Sequence, residues 1–456
     1  MERERDQRIV DSILRTVGIA SVLAILALRL YAAAWTIPMR TPWDDSTIRL
    51  AAKQQSRRET VASAVARLVL PNPPSVLEGR LNGYQRWLVV GHKLGTRIRP
   101  GSGELAFQVV NFLLLCLQAL TLMVFAHWAT RDLALSTGFT FLWISAPVVF
   151  GMNRWVLTEN LVLAAGPILS FLAAWLLGRE APPGPGTRYL AAHVLAAGWA
   201  AYVMGLFSVA REYAAPSYFV IVGATLLGLA LQKRRWEAAV FATVTACFVA
   251  PLASPLAAAL RATVTKGSRE EWFHPLGEWI PHVSVYTLGP ALTVALIVLV
   301  AAGLYRSGAR DAGPPREGGT TLRDRLHREL AGLRGLFWAH LLLLAFYLGG
   351  VVWVRNRVSR LAILPMIVAA GLALIGTRLS PEIQRALSTT RAKSAVLALI
   401  AASWSVLSYQ LFVAFDGGET YAHAAYRLEY YNYPLHLRPL RGPLDSYVCF
   451  DPCPYD

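Results

Sequence analysis

The sequence predicts an all-α polytopic membrane protein, and three observations carry that prediction. Of 456 residues, 55% are hydrophobic and 16% charged, and the mean hydropathy is +0.42, too apolar for a soluble chain of this length. Apolar runs near the length that crosses a bilayer, about 20 residues, recur along most of the chain. They fall at 16–38, 105–128, 133–152, 159–178, 188–208, 213–231, 236–258, 284–305, 336–354, 357–378 and 394–415, so about eleven transmembrane helices are expected. The loops 232–236, 306–330 and 378–393 are all basic, as cytoplasmic loops tend to be. An odd number of spans with the N-terminus inside then leaves the C-terminal tail outside.

The first segment, MERERDQRIV followed by an apolar run containing Arg29, reads as a retained anchor, because a cleaved signal peptide seldom carries a charge just before its small-residue site. The long first outer loop spans 39–104. Within it Ser46 to Leu70 lacks Gly and Pro and is followed by PNPP at 71–74, which predicts one helix with a sharp stop. Arg49, Lys53 and Arg57 recur every four residues, and Val61, Val65 and Leu68 form an apolar stripe further on. Such a helix suits the bilayer interface with its cations toward phosphates; plain packing on the spans is the other reading. Tyr84 and the patch Trp87 to Val90 fit an interfacial position as well.

Two units result: a transmembrane module, 1–415, and an extracytoplasmic tail, 416–456, rich in Tyr, His and Pro. A medium outer segment at 259–283 and Pro/Gly-rich or charged inner loops at 179–187 and 306–330 complete the layout. Cys116 and Cys247 lie in spans and read as core residues. Cys449 and Cys453, in CFDPC, are free to pair if the tail is outside, and the tail has too few ligands for a metal site. The net charge is +16, and much of it falls in the outer loop. That fits either a polyanionic partner at the outer surface or headgroup binding without chemistry.

Four groups of residues stand out as candidates for chemistry. Asp44 and Asp45 sit at the outer end of the first span, where a carboxylate's pKa is open to shift; capping the helix that follows is the competing role. Glu159 opens a span just after Arg154, in GMNRWVLTENLVLA, and an ionisable residue at that depth is costly unless paired or functional; a plain Arg154–Glu159 ion pair that needs no ligand is the competing reading. Arg211 forms, with Glu212, another Arg/Glu pair in an outer turn, SVAREYAAP at 208–216. Arg355, Arg357 and Arg360 crowd the outer entry to a late span in VRNRVSRLAILP; guanidinium forks there suit phosphate oxygens, and interfacial snorkelling is the alternative for each singly.

Taken in order, PWDDSTIRLA at 42–51, NRWVLTENLVLA at 153–164 and RNRVSRLAILP at 355–365 resemble the motifs of the GT-C superfamily of integral-membrane glycosyltransferases. That group uses polyprenyl- or dolichyl-phosphate sugars and includes protein O-mannosyltransferases, lipid A aminoarabinose transferases and mycobacterial arabinosyltransferases. The second motif is similar to the R-x-x-L-(S/T)-E turn of bacterial members. The resemblance covers roughly residues 1–415 and rests on order and topology, since each motif is short.

The resemblance implies transfer of a sugar from a polyprenyl-phosphate donor to a glycan, lipid or protein acceptor outside the cytoplasm, with Asp44, or next Asp45, as general base. It implies that Arg154, Arg211, Arg355, Arg357 or Arg360 stabilises the leaving phosphate. Glu159 would orient an arginine, contact sugar hydroxyls or help hold a divalent cation, magnesium or manganese, in that order of preference. Two features depart from better-studied members: Asp45 and Ser46 follow the first acid where many have Glu and a nearby Tyr, and the tail is short.

No Walker or G-x-G-x-x-G loop occurs, consistent with a lipid-linked donor, and a nucleic acid is not an expected partner. High Ala and Arg content and the lack of an N-x-S/T site lean toward a bacterial inner membrane, with the site facing the periplasm or exterior. A lipid transporter or flippase, and a non-catalytic subunit of an envelope-assembly complex, are the rival readings.

Overall fold

The computed structural model describes residues 2–36, 43–72, 75–77, 80–99, 103–153, 156, 158–179, 187–208, 211, 214–258, 261, 289–311, 326–327, 329–352 and 358–416. In chain order the helices of the bundle are α1 (Glu2–Thr36), α5 (Gly103–Thr130), α6 (Leu133–Ile144), α7 (Pro147–Met152), α8 (Glu159–Leu177), α9 (Thr187–Leu206), α10 (Ala215–Leu231), α11 (Arg235–Val249), α12 (Pro290–Asp311), α13 (Gly332–Val352), α14 (Val358–Leu379), α15 (Pro381–Leu387) and α16 (Thr390–Asp416). Between α1 and α5 lie α2 (Trp43–Arg58), α3 (Val61–Val69), a hairpin of β1 (Ser75–Leu77) and β2 (Arg80–Asn82), and α4 (Tyr84–Ile98). The hairpin is antiparallel with Val76 opposite Leu81. All other regular structure among the described residues is helical, as expected.

Helix α8 is the hub. It is buried on nearly every side, packing against α5, α9, α10, α13 and α14, as an all-round apolar helix must. Close approach there depends on glycine: a Cβ at Gly166 would collide with Ile367 of α14. Around the periphery, α1 packs on α6 and α16, and α9 on α11. Large apolar side chains face outward, among them Leu23, Leu113, Leu195, Ile297 and Leu342, while Gln108, Asn111, Gln118, Ser170 and His340 are buried. Apolar outside and polar inside, with several long apolar helices, is the character of a membrane-embedded protein.

Four helical stretches are each long and apolar enough to cross a bilayer, namely Arg5–Leu30, Leu105–Thr130, Glu159–Leu177 and Arg235–Ala258. The pair Ile363–Leu379 and Pro381–Leu387, bent by 103°, makes a fifth if it is one span. The other apolar segments form helices too, several of them shorter, such as Ala215–Leu231 and Ala291–Tyr305.

Local chemistry accounts for several departures from the sequence reading. The run 133–152 is two helices rather than one, broken ahead of Pro147, because proline lacks an N–H and disfavours helical backbone in the residue before it. The expected single helix from Ser46 to Leu70 is also two. Thr60 adopts extended backbone and its hydroxyl accepts from the Ser63 N–H at 3.1 Å, so a helix cap interrupts a stretch with no Gly or Pro. The segment 378–393, read as a loop, contains α15, capped by Ser380 through the Ile383 N–H. Cys247 is exposed rather than core. The tail from 417, with Cys449 and Cys453, lies outside the described residues.

The two ends of the bundle are distinct. At one, Lys393 of α16 bridges Asp11 of α1 (2.5 Å) and Asp132 (2.6 Å), and Asp132 caps α6. All three residues belong to the side predicted as cytoplasmic. Of the residues predicted as outer, the described ones include the loop helices α2, α3 and α4, which pack on one another and, through α4, on α5.

One bond inside the bundle joins sequence to packing directly. Pro167 within α8 has no N–H for the carbonyl four residues earlier, that of Leu163, and Gln118 Nε2 of α5 donates to that carbonyl at 2.8 Å. Gln118→Leu is expected to lower stability by about 1–2 kcal/mol. Adding Pro167→Ala should recover most of the loss, since the restored N–H takes over the carbonyl. Thermal unfolding of the single and double variants in detergent tests this coupling.

Candidate functional site

The first outer loop folds into a cap. Helix α4 packs on α5, and α2 and α3 pack on α4. The cap is pinned at several points. Tyr202 of α9 donates to the Val69 carbonyl at 2.7 Å, Trp87 stacks on Phe207 with centroids 5.4 Å apart, and Leu81 of the hairpin packs against Leu252. Inside the cap Ser56 and His92 share a hydrogen bond of 2.8 Å, and the His92 ring lies on Phe107. Gln85 donates to Gln55 (2.9 Å), which donates to Glu59 (2.7 Å), itself paired with Arg67 (3.1 Å). Arg86 donates to the Arg67 and Asn72 carbonyls, and burial holds its pKa below the usual guanidinium value.

These contacts revise the interfacial reading of the loop. Arg49 is buried, with its guanidinium 5.9 Å from the Phe107 ring centre, so it faces the bundle. Tyr84 and Leu88 are fully buried against the bundle. The exposed large apolar side chains of the cap among the described residues are Leu50, Val65, which belongs to the predicted stripe, Val69, Leu70, Val76, Leu94 and Ile98, beside exposed Arg57, Arg58, Arg97 and Arg99. A lipid surface suits that mixture.

Beneath the cap lies a buried polar network that the sequence reading missed. Tyr84 of α4 donates to Asn111 Oδ1 of α5. Asn153 Nδ2 donates to the Asn111 carbonyl at 2.7 Å. Arg29 of α1, 1% exposed, donates through Nε to Asn153 Oδ1 (2.7 Å), and through Nη2 to Gln108 Oε1 (2.9 Å) and the Asn153 carbonyl. The signal was present in the sequence. Arg29 stands inside an apolar run, and Gln108, Asn111 and Gln118 are spaced three and seven apart on one face of an otherwise apolar helix.

A second assembly follows immediately along the chain. Arg211 Nε donates to the Thr158 hydroxyl, and that hydroxyl donates to Glu159 Oε2 at 3.2 Å. All three are buried. Two of the predicted residues, Glu159 and Arg211, are thus brought together by Thr158, which the prediction did not include. Asn153 and Thr158 are five residues apart, so the two assemblies are within about 18 Å of each other by chain reach.

The remaining candidates are placed less fully. Asp44 and Asp45 fall in the first turn of α2, which starts at Trp43. Arg360 falls in the first turn of α14. The side chains of these three, and the whole of Arg154, Arg355 and Arg357, lie outside the described residues.

Chemically, a buried guanidinium next to a carboxylate and a hydroxyl can receive an oxyanion, with Glu159 and Thr158 orienting the guanidinium. No group of three or more His, Cys, Asp or Glu among the described residues is placed to hold a metal. Among the described residues, Glu159 is the carboxylate of this assembly, linked through Thr158 to the Arg211 guanidinium. Comparison of the chain with protein-family models, curated proteins and solved structures gives no match.

Proposed function

We propose that the protein is a membrane glycosyltransferase of about eleven spans that moves a sugar from a polyprenyl-phosphate donor to an extracytoplasmic acceptor in a bacterial inner membrane. The acceptor hydroxyl loses its proton to Asp44, or to Asp45, as its oxygen bonds to the anomeric carbon. The bond between that carbon and the phosphate oxygen breaks, through a transition state of oxocarbenium character. Its electron pair leaves with the polyprenyl phosphate. Arg211, with Arg154, Arg355, Arg357 and Arg360, stabilises the charge gathering on that phosphate, and Glu159 orients Arg211.

The observation that carries this reading is the meeting of Arg211, Thr158 and Glu159 at the end of the bundle covered by a helical cap, whose first turn carries Asp44 and Asp45. It also bears on the transporter alternative. Among the described residues, buried charges occur near the two ends: Arg29, Arg49, Glu159 and Arg211 at one, and Arg234, Glu237 and Lys393 at the other. Between them the buried polar groups include Gln118 and the Ser170–His340 pair at 2.9 Å. Within that pair His340 Nδ1 faces the Leu336 carbonyl at 2.9 Å, so Nδ1 carries the proton and Nε2 accepts from Ser170. A path carrying a charged headgroup across would need charged groups at depth.

The test is donor turnover. Full-length protein in nanodiscs is incubated with polyprenyl-phosphate monosaccharides and candidate acceptors, and the release of free polyprenyl phosphate is followed. Turnover that requires the acceptor is expected. Absence of turnover, together with protein-dependent movement of a labelled phosphate lipid between vesicle leaflets, would favour the transporter.

A further inference from the structure

Arg29 is a buried cation with no anionic partner among the described residues. Its guanidinium is 1% exposed, and its hydrogen-bond acceptors are two amide oxygens and one backbone carbonyl, all neutral. Among the described residues no carboxylate pairs with it, and its Nη1 amino group has no hydrogen-bond partner. Leaving a desolvated guanidinium in that state is costly, and a purely structural role would be served as well by a neutral residue. The group is nonetheless rigidly held. Nε and Nη2 form a two-pronged grip on Asn153, Gln108 fixes the other Nη2 hydrogen, and Tyr84 and Asn153 in turn hold Asn111. One edge of the guanidinium is used for positioning, and both Nη1 hydrogens remain for something else.

We propose that Arg29 is an anion-binding residue, whose Nη1 amino group receives a phosphate oxygen beneath the cap. Naming that phosphate as the donor lipid's rests on the transferase reading. The anion site itself rests on the geometry around Arg29. Arg29 lies seven residues before the end of α1, about 10 Å along the helix. A phosphate carrying its own apolar chain reaches that depth at less cost than free phosphate. The next polar assembly along the chain, Thr158, Glu159 and Arg211, begins five residues after the Asn153 that grips Arg29, so both guanidinium groups can serve one elongated anionic headgroup.

The decisive variant is Gln108→Glu. It keeps the acceptor that touches Nη2 and adds the missing counter-charge from within the protein, so it competes with an external anion. Binding of a polyprenyl phosphate, of the matching polyprenol and of inorganic phosphate is measured by titration on the detergent-solubilised full chain, alongside its unfolding temperature. Gln108→Glu is expected to leave the unfolding temperature unchanged or raised and to weaken polyprenyl phosphate binding about 10- to 100-fold, the worth of a charge-assisted hydrogen bond. Arg29→Lys, which keeps the charge and loses the fork, is expected to weaken it similarly.

Inorganic phosphate showing the same dependence would uphold the site and name free phosphate as its ligand. Polyprenol binding as tightly as polyprenyl phosphate, or unchanged affinity in both folded variants, would overturn the proposal. Failure of the transferase reading looks different: Arg29-dependent lipid-phosphate binding with no sugar turnover would retain the anion site and remove the enzyme. Sugar turnover by the wild type with affinity unaltered in both variants would do the reverse.

Discussion

Replacing Asp44 by Asn lowers the rate of sugar transfer by about 10²- to 10⁴-fold, the usual worth of a positioned general base, while donor binding changes little. Asn matches the carboxylate in shape and keeps an acceptor oxygen, but it cannot take the acceptor's proton. Asp45→Asn is expected to give the smaller loss if Asp44 is the base, and the larger if the order is reversed. Single-turnover transfer on preloaded donor separates the chemical step from binding. Two Asn variants that both transfer at the wild-type rate would remove the base from the first outer loop.

The second large effect is expected at Arg211. Arg211→Met removes the guanidinium linked through Thr158 to Glu159 and takes away stabilisation of the departing phosphate, worth about 10²- to 10³-fold in rate by analogy with the loss of an oxyanion donor. Glu159→Gln should cost less, about 10-fold, because the amide oxygen still accepts from the Thr158 hydroxyl and the guanidinium stays in place with its charge less balanced. The pattern matters more than either number. If Glu159 is instead the group that contacts the reacting sugar, Glu159→Gln becomes the more damaging of the two. Steady-state kinetics of both variants decide this, with unfolding temperatures to exclude loss of fold, since truncating one member of a buried polar set destabilises as well.

The helices were legible because long apolar runs admit few alternatives. Glu159 was legible for the same reason, as a charge standing at the start of such a run. Arg29 gave the same signal in the first run and was read only as evidence about signal cleavage. Its meaning depends on Gln108 and Asn153, partners distant in the chain that no local pattern brings together. Periodicity placed Arg49, Lys53 and Arg57 on one face but not which way the face turns, and Arg49 faces the ring of Phe107. The break at Thr60 escaped notice because a side-chain cap can end a helix where neither Gly nor Pro marks the place. Arg211 was picked out as one of a turn's charges; that its link runs to Thr158 is a tertiary fact.

The measurement that tests the central claim most directly is native mass spectrometry of the gently purified full-length protein, wild type against the combined Arg355→Ala, Arg357→Ala and Arg360→Ala variant. The account predicts a polyprenyl phosphate, or its sugar conjugate, retained by the wild type and lost from the variant, with the conjugate's mass identifying the class of sugar. Bulk phospholipid alone on both proteins would contradict it.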